Sequence, residues 1–189
     1  MDIARDRLFW FALATSYQRE MRLKTFFDSR EVTSYVPSRE DYVEDKDNPG
    51  MPKRVDVPLI HNLIFVRSTY DEMAAYKKLL TDDGIPFRWM MDYAQDNRPI
   101  IIPDAEMDAF IDLCSRPFSR VLTPEQMAKV KRDTYVEILA GPFNGVRGYY
   151  CRPLSQKCVV IELEGLVGAC TTYVPVTSLK ILEEQPRID

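Results

Sequence analysis

The chain has a single histidine, His61, and four cysteines, none of them in a C-x-x-C pair. A tetrahedral zinc site needs several nitrogen or sulfur ligands at short spacing, so no metal is expected. Scattered thiols do not make a disulfide framework either, and they fit the reduced interior of a cytoplasmic protein. No apolar run reaches the ~18 residues that a membrane helix needs. Leu8 to Ala14 imitates an export signal by ending in Ala12-Leu13-Ala14, yet Asp2 and Asp6 cancel Arg5 and Arg7 and leave no positive flank. A cytoplasmic protein without membrane contact is therefore expected. Excess positive charge is missing too: 25 Lys and Arg against 29 Asp and Glu give a net charge of -4. Coating nucleic acid requires many cations to displace counterions, so any such contact must be local. There is no G-x-S-x-G, Walker loop, H-E-x-x-H or paired His-Cys set, so neither catalytic residues nor a cofactor are expected.

What is present is 46% hydrophobic content in 189 residues, enough for one domain or two small ones. Phe9 to Ala14 suits a buried strand. Thr15-Ser16-Tyr17-Gln18 offers a capping box, with Thr15 as N-cap, and predicts a helix over Tyr17 to Arg30. Glu31 to Pro37 is the next strand. Asp41 to Val57 is charged, holds Pro49-Gly50 and Pro52, and reads as a long hairpin tip or a partly disordered loop. Pro58 to Val66 is nearly all apolar, as a central strand would be. Asp71 to Leu80 places Met73, Tyr76, Leu79 and Leu80 at helical spacing, and Asp82-Asp83-Gly84 stops the helix. Arg88 to Asp92 and Pro99 to Pro103 are extended. Asp104 to Ser115 is a helix with Asp104 as N-cap and Met107, Phe110, Ile111 and Cys114 facing inward. The order β-α-β-β-α-β-α describes an α+β layered domain over 6–115. Residues 116–129 have linker composition, although Thr123-Pro124-Glu125-Gln126 suits one short helical turn. Over 130–185 five short strands are expected, at Tyr135 to Leu139, Val146 to Arg152, Lys157 to Leu163, Cys170 to Val174 and Ser178 to Leu182. Closure into a small barrel would remove their exposed edges.

From just after the first of those strands into the second runs Gly141-Pro142-Phe143-Asn144-Gly145-Val146-Arg147-Gly148. It looks like the core of a KOW motif, in which Gly141, Asn144, Gly145 and Gly148 form a structural turn through positive φ. An α+β domain opening with Trp10-Phe11-Ala12-Leu13, then a tether, then a KOW module resembles the NusG/RfaH family of transcription elongation factors from about Phe9 to Leu182. The resemblance implies an N-terminal NusG-type domain with an antiparallel sheet, a C-terminal SH3-like β-barrel, and a monomer that performs no chemistry. It implies that the first domain binds the β′ clamp helices of RNA polymerase and reaches to the β subunit, suppressing pausing and termination. The KOW domain would meet ribosomal protein NusE or Rho. Val57 to Val66 occupies the place of the Phe-Pro-Gly-Tyr-Val-type strand of housekeeping NusG, but lacks the Pro-Gly pair and the tyrosine. Its Ile-His-Asn-Leu-Ile-Phe-Val form is similar to UpxY-type paralogues that act on capsular polysaccharide operons. The alternatives are a general NusG factor and a KOW-containing RNA- or ribosome-binding protein, the latter disfavoured by the acidic balance.

The same resemblance nominates Leu63 and Phe65 as exposed polymerase-binding anchors, with Ile60 and His61 at the start of their strand. Alternation puts His61, Leu63 and Phe65 on one face and Ile60, Asn62, Ile64 and Val66 on the other, and one face should be core. Tyr17, Gln18, Arg19 and Arg22 are its nucleic-acid-binding candidates, toward the nontemplate DNA strand or a nascent RNA leader. Arg19 and Arg22 share a helix face, which is either that contact or a solvated charged surface.

Overall fold

In a computed structural model the described residues are 7–16, 18–93, 97–128, 130, 134–153, 156–163 and 166–182. The chain divides into two compact units, Met1–Ile101 and Ile102–Asp189.

The first unit is built on β1 (Phe9–Ala14), α1 (Glu20–Asp28), β2 (Ser34–Tyr35), β3 (Ser38–Glu44), β4 (Pro52–Pro58), β5 (Leu63–Ser68) and α2 (Tyr70–Asp82). Short strands β6 (Arg88–Trp89), β7 (Met91–Asp92), β8 (Arg98–Pro99) and β9 (Ile101–Ile102) follow. Its main sheet runs β2-β5-β1-β6, with β9 also paired to β1. β1 and β5 are antiparallel over their whole length, Phe11 facing Val66 and Leu13 facing Ile64. These four side chains share one face and form a core with Leu23 and Phe27 of α1 and Met73 and Leu80 of α2. On the opposite face Trp10, Ala12, Leu63 and Phe65 are buried as well. Burial on both faces is why β1 and β5 read as continuous apolar runs rather than as alternation.

Three boundaries differ from the sequence reading. The helix expected from Tyr17 begins at Glu20 and has no side-chain cap. Thr15 is buried and its hydroxyl donates to the Pro86 carbonyl at 3.3 Å, while Gln18 takes a left-handed φ of 54°. Neither half of the capping box is available. The strand expected over Pro58 to Val66 is broken: β4 ends at Pro58, β5 starts at Leu63, and Asn62 turns between them with φ 64°. Asn tolerates that region better than most residues. Asp41 to Val57 belongs to a regular hairpin, paired from Ser38↔Pro58 to Glu44↔Pro52. Its charges are a consequence of two solvated faces, with Arg54 paired to Glu40 across the strands.

α2 carries the capping box that the sequence reading assigned elsewhere. Thr69 accepts from the Glu72 backbone N–H at 3.2 Å, and Glu72 accepts from the Ser68 hydroxyl at 2.7 Å and the Thr69 hydroxyl at 3.0 Å. The Ser68 donor first, then Thr69, holds the Glu72 carboxyl below its ordinary pKa. A depressed folded-state pKa contributes stability that is present above the unfolded value and lost as pH falls through the folded one. Glu72→Gln is therefore expected to reduce the fall of the urea midpoint that the wild type shows from about pH 5 downward.

The second unit begins with α3 (Asp104–Ser115), which packs on β13 (Cys158–Leu163) and β14 (Val167–Cys170). Pro103, not Asp104, occupies its N-cap, and Met107, Phe110 and Leu113 are the buried residues, with Ile111 and Cys114 only half-buried. Residues 116–129 hold β10 (Arg120–Leu122) and α4 (Pro124–Met127), the latter opened by a Thr123–Gln126 capping box. β11 (Thr134–Ile138), β12 (Arg147–Cys151), a 3-10 turn (Val176–Ser178) and β15 (Leu179–Ile181) complete an antiparallel sheet in the order β10-β14-β13-β12-β11-β15. Among the described residues no pairing joins β10 to β15, so closure of the expected barrel is not detected. The strand expected at Cys170 to Val174 lies earlier, at Val167–Cys170. Gly168 lies within it, and a side chain at that position would collide with Met127.

In the glycine-rich turn Gly141 and Gly145 have φ of 80° and 83°, while Asn144 does not enter the left-handed region. The Gly145 N–H donates to the Ile138 carbonyl at 2.8 Å. Arg116, paired with Asp112, also donates to the Pro142 and Asn144 carbonyls at 3.2 and 3.1 Å. Gly148 serves a different need, since a Cβ there would meet the Val160 carbonyl.

Candidate functional site

The left-handed Asn62 joins two parts of the first unit. Its carbonyl accepts the Thr15 N–H at 3.0 Å, and its side-chain Oδ1 accepts the Gln18 N–H at 3.1 Å. The turn after β4 and the segment entering α1 are thereby locked into one corner. Next to this lock, His61 Nδ1 stands 3.4 Å from Glu20 Oε1. The His61 side chain is 56% exposed and that of Glu20 fully buried. Glu20 opens α1, where unpaired N–H groups and the positive end of the helix favour a carboxylate. With its proton on Nδ1, His61 donates inward and turns the other ring edge to solvent. Arg19 reaches the Gly84 carbonyl at 2.7 Å, tying the same corner to the end of α2. Arg22 lies one turn along α1 and is exposed.

The structure thus unites Gln18, Arg19 and His61, with Ile60 next to His61 in the chain, although the resemblance divides them between a nucleic-acid face and a polymerase face. It does not expose the two anchors. Leu63 is 5% and Phe65 0% accessible. The expectation of an exposed anchoring face is corrected, because alternation distinguishes the two faces of a strand but not whether both are covered. Ile60 is half-buried and His61 exposed. Tyr17 lies outside the described residues.

Sequence reasoning missed Glu20, whose second carboxylate oxygen has no hydrogen-bond partner. A glutamate at the first turn of a helix reads as ordinary helix chemistry, and nothing in the chain announces its burial. It also passed over exposed apolar groups on the β3–β4 hairpin, Tyr42, Val43 and Met51. A tyrosine and a methionine within a charged segment were the available signal.

The Glu20–His61 pair has a measurable consequence. Removing the hydrogen-bond partner of one buried Glu20 oxygen leaves it unsatisfied beside the other. Because His61 is itself half in water, His61→Ala is expected to cost about 1–2 kcal/mol. Adding Glu20→Gln should recover most of that loss. Urea titrations of the two single variants and the double variant test the coupling, and additive losses would show that the pair does not interact.

Among the described residues no three of His, Cys, Asp or Glu come together to hold a metal ion. No helix among them is long and apolar enough to cross a membrane. Residues 8–111, more than half of the chain, match the protein-family model for NusG, described as transcription termination factor nusG. No curated protein matches the chain.

Proposed function

Because the chain belongs to the NusG family of transcription factors, we propose that it is an operon-specific antiterminator acting on transcribing RNA polymerase in the cytoplasm. Membership makes it a non-enzymatic protein and implies polymerase as its partner. The corner held by Asn62 carries the finer reading: it presents Ile60 and His61, which the resemblance assigns to the β′ clamp helices, beside Gln18, Arg19 and Arg22, which it assigns to displaced nontemplate DNA or a nascent leader. One surface that touches both polymerase and nucleic acid favours recruitment only where both are right. Leu63 and Phe65 serve from inside, fixing β5 behind that surface. Binding stabilises the closed clamp at the expense of the rearrangements that pausing and termination require.

Selectivity is supported by the net charge of -4, which leaves no broad basic surface, and by the Ile60 to Leu63 sequence, similar to UpxY-type factors of capsular polysaccharide operons. For the second unit we propose an SH3-like KOW domain over 130–185 that engages ribosomal protein NusE or Rho, joined by 116–129 to a NusG-type domain over 6–115. The left-handed Gly141 and Gly145 and the antiparallel ladder from β11 to β14 support it.

The test combines capture and transcription. Wild-type protein should co-purify with RNA polymerase, and Ile60→Asp should weaken capture at least about tenfold, as loss of an interface anchor does. Arg19→Ala with Arg22→Ala should leave capture by the isolated clamp helices intact and reduce leader-dependent recruitment. In a deletion strain, transcripts should fall at the distal end of one long operon and not near its promoter. Equal loss at both ends would mean an effect on initiation, and a uniform change across unrelated operons would mean a general NusG factor.

A further inference from the structure

Three of the four cysteines lie on one face of the second sheet. Cys151 stands directly opposite Cys158, and Cys170 stands opposite Val160, which puts Cys158 and Cys170 on the same side, one diagonal step apart. All three pack in one cluster with Leu122 and Val160. The ladder continues past the end of β14, the Thr171 N–H donating to the Val159 carbonyl and the Thr171 hydroxyl accepting from the Val159 N–H. The backbones carrying Cys158 and Cys170 are therefore held side by side. A cavity of about 90 Å³ is lined by both cysteines and walled by Arg120, Gln156, Thr171 and Tyr173. Cys151 does not line it and donates instead to the Tyr149 carbonyl of its own strand at 3.5 Å.

We propose that Cys170 and Cys158 form an oxidation site for small hydroperoxides, Cys170 being the sulfur that attacks and Cys158 the one that closes the bond. The cavity has room for a small hydroperoxide, and its polar walls suit one. Arg120 faces Cys170 across the β10–β14 pairing. A hydrogen bond between the Cys158 and Cys170 side chains holds the Cys170 thiol below its ordinary pKa, against the opposing effect of burial and with further help from the Arg120 guanidinium. The same hydrogen bond, together with burial, pushes the Cys158 thiol up. One sulfur is thus disposed to be thiolate, the nucleophilic form, while its neighbour keeps its proton.

The chemistry balances with the peroxide alone as oxidant. The Cys170 thiolate attacks the peroxide oxygen, the O–O bond breaks, and the leaving hydroxide takes a proton to give water, or alcohol from an alkyl hydroperoxide. The resulting sulfenic acid is attacked by Cys158, whose proton leaves with the hydroxyl as water when the S–S bond forms. Two thiols are oxidised and one peroxide is reduced.

The experiment is peptide mapping of the full, native chain after titration with hydrogen peroxide and alkylation of the remaining thiols. A Cys158–Cys170 link should form first, with Cys114 and Cys151 still alkylated. Cys158→Ser should stop at a sulfenic acid on Cys170 that dimedone captures, and Arg120→Gln should slow oxidation by about 3- to 10-fold through the smaller thiolate population. A Cys151–Cys158 link forming first, initial oxidation at Cys114, or a bridge that forms only in urea would each overturn the assignment. The mapping of unaltered protein decides without reference to whether either variant folds.

Discussion

Phe11→Ala is expected to destabilise the first unit by about 3–5 kcal/mol, the range for truncating a buried phenylalanine. Phe11 is fully buried at the centre of β1, on the face that packs against α1 and α2. Its ring meets Trp89 edge-on at 5.1 Å and Phe9 at 6.2 Å. Truncation removes apolar burial and both ring contacts, and it leaves a void between three elements that cannot all close in. Both tryptophans of the chain, Trp10 and Trp89, belong to this unit, so their emission reports its urea unfolding. A loss below about 1 kcal/mol would show that Phe11 does not hold the helices to the sheet.

In the second unit the largest effect is expected from Gly148→Val. Its backbone needs no glycine conformation; what needs glycine is space, because a Cβ would meet the Val160 carbonyl and come within 3.0 Å of the Val159 side chain. That neighbour is backbone of the adjoining strand and can yield only by separating β12 from β13. The loss should be about 3 kcal/mol or more, at or above the top of the overpacking range. Gly141→Ala provides the contrast, since open space surrounds it and only its φ of 80° is unfavourable, so about 1–2 kcal/mol is expected. Far-UV circular dichroism and amide exchange at Tyr149 and Val160 would compare them. Equal effects would mean that the two strands are not so closely apposed.

Much of the fold was legible because the core elements declare themselves locally. Phe9 to Ala14 is a strand over the residues its apolar run spans, and the spacing of Met73 and Leu80 marks the inner face of α2. What escaped depended on partners distant in sequence. Thr15 looks like a helix cap until Pro86, 71 residues away, accepts its hydroxyl. The strand expected at Cys170 to Val174 lies at Val167–Cys170, where Gly168 leaves the space that Met127 fills. The corner was half legible: Gln18, Arg19, Ile60 and His61 were singled out, but their union depends on Asn62, which resembles any polar residue in an apolar run. Leu63 and Phe65 were given the wrong exposure because a strand covered on both sides has the same residue pattern whichever face is thought to be free.

Asn62 also bears on how such a surface can change. It holds the corner through its own carbonyl and amide oxygen and through backbone N–H groups of Thr15 and Gln18, groups that every residue but proline supplies. The hydrogen bonds of the corner therefore require no particular side chain at positions 18 and 60, although position 18 must also take a left-handed backbone. Side chains there can be exchanged while the scaffold beneath stays constant. The constraint falls on the two left-handed positions, Asn62 and Gln18, and the freedom on the side chains around them.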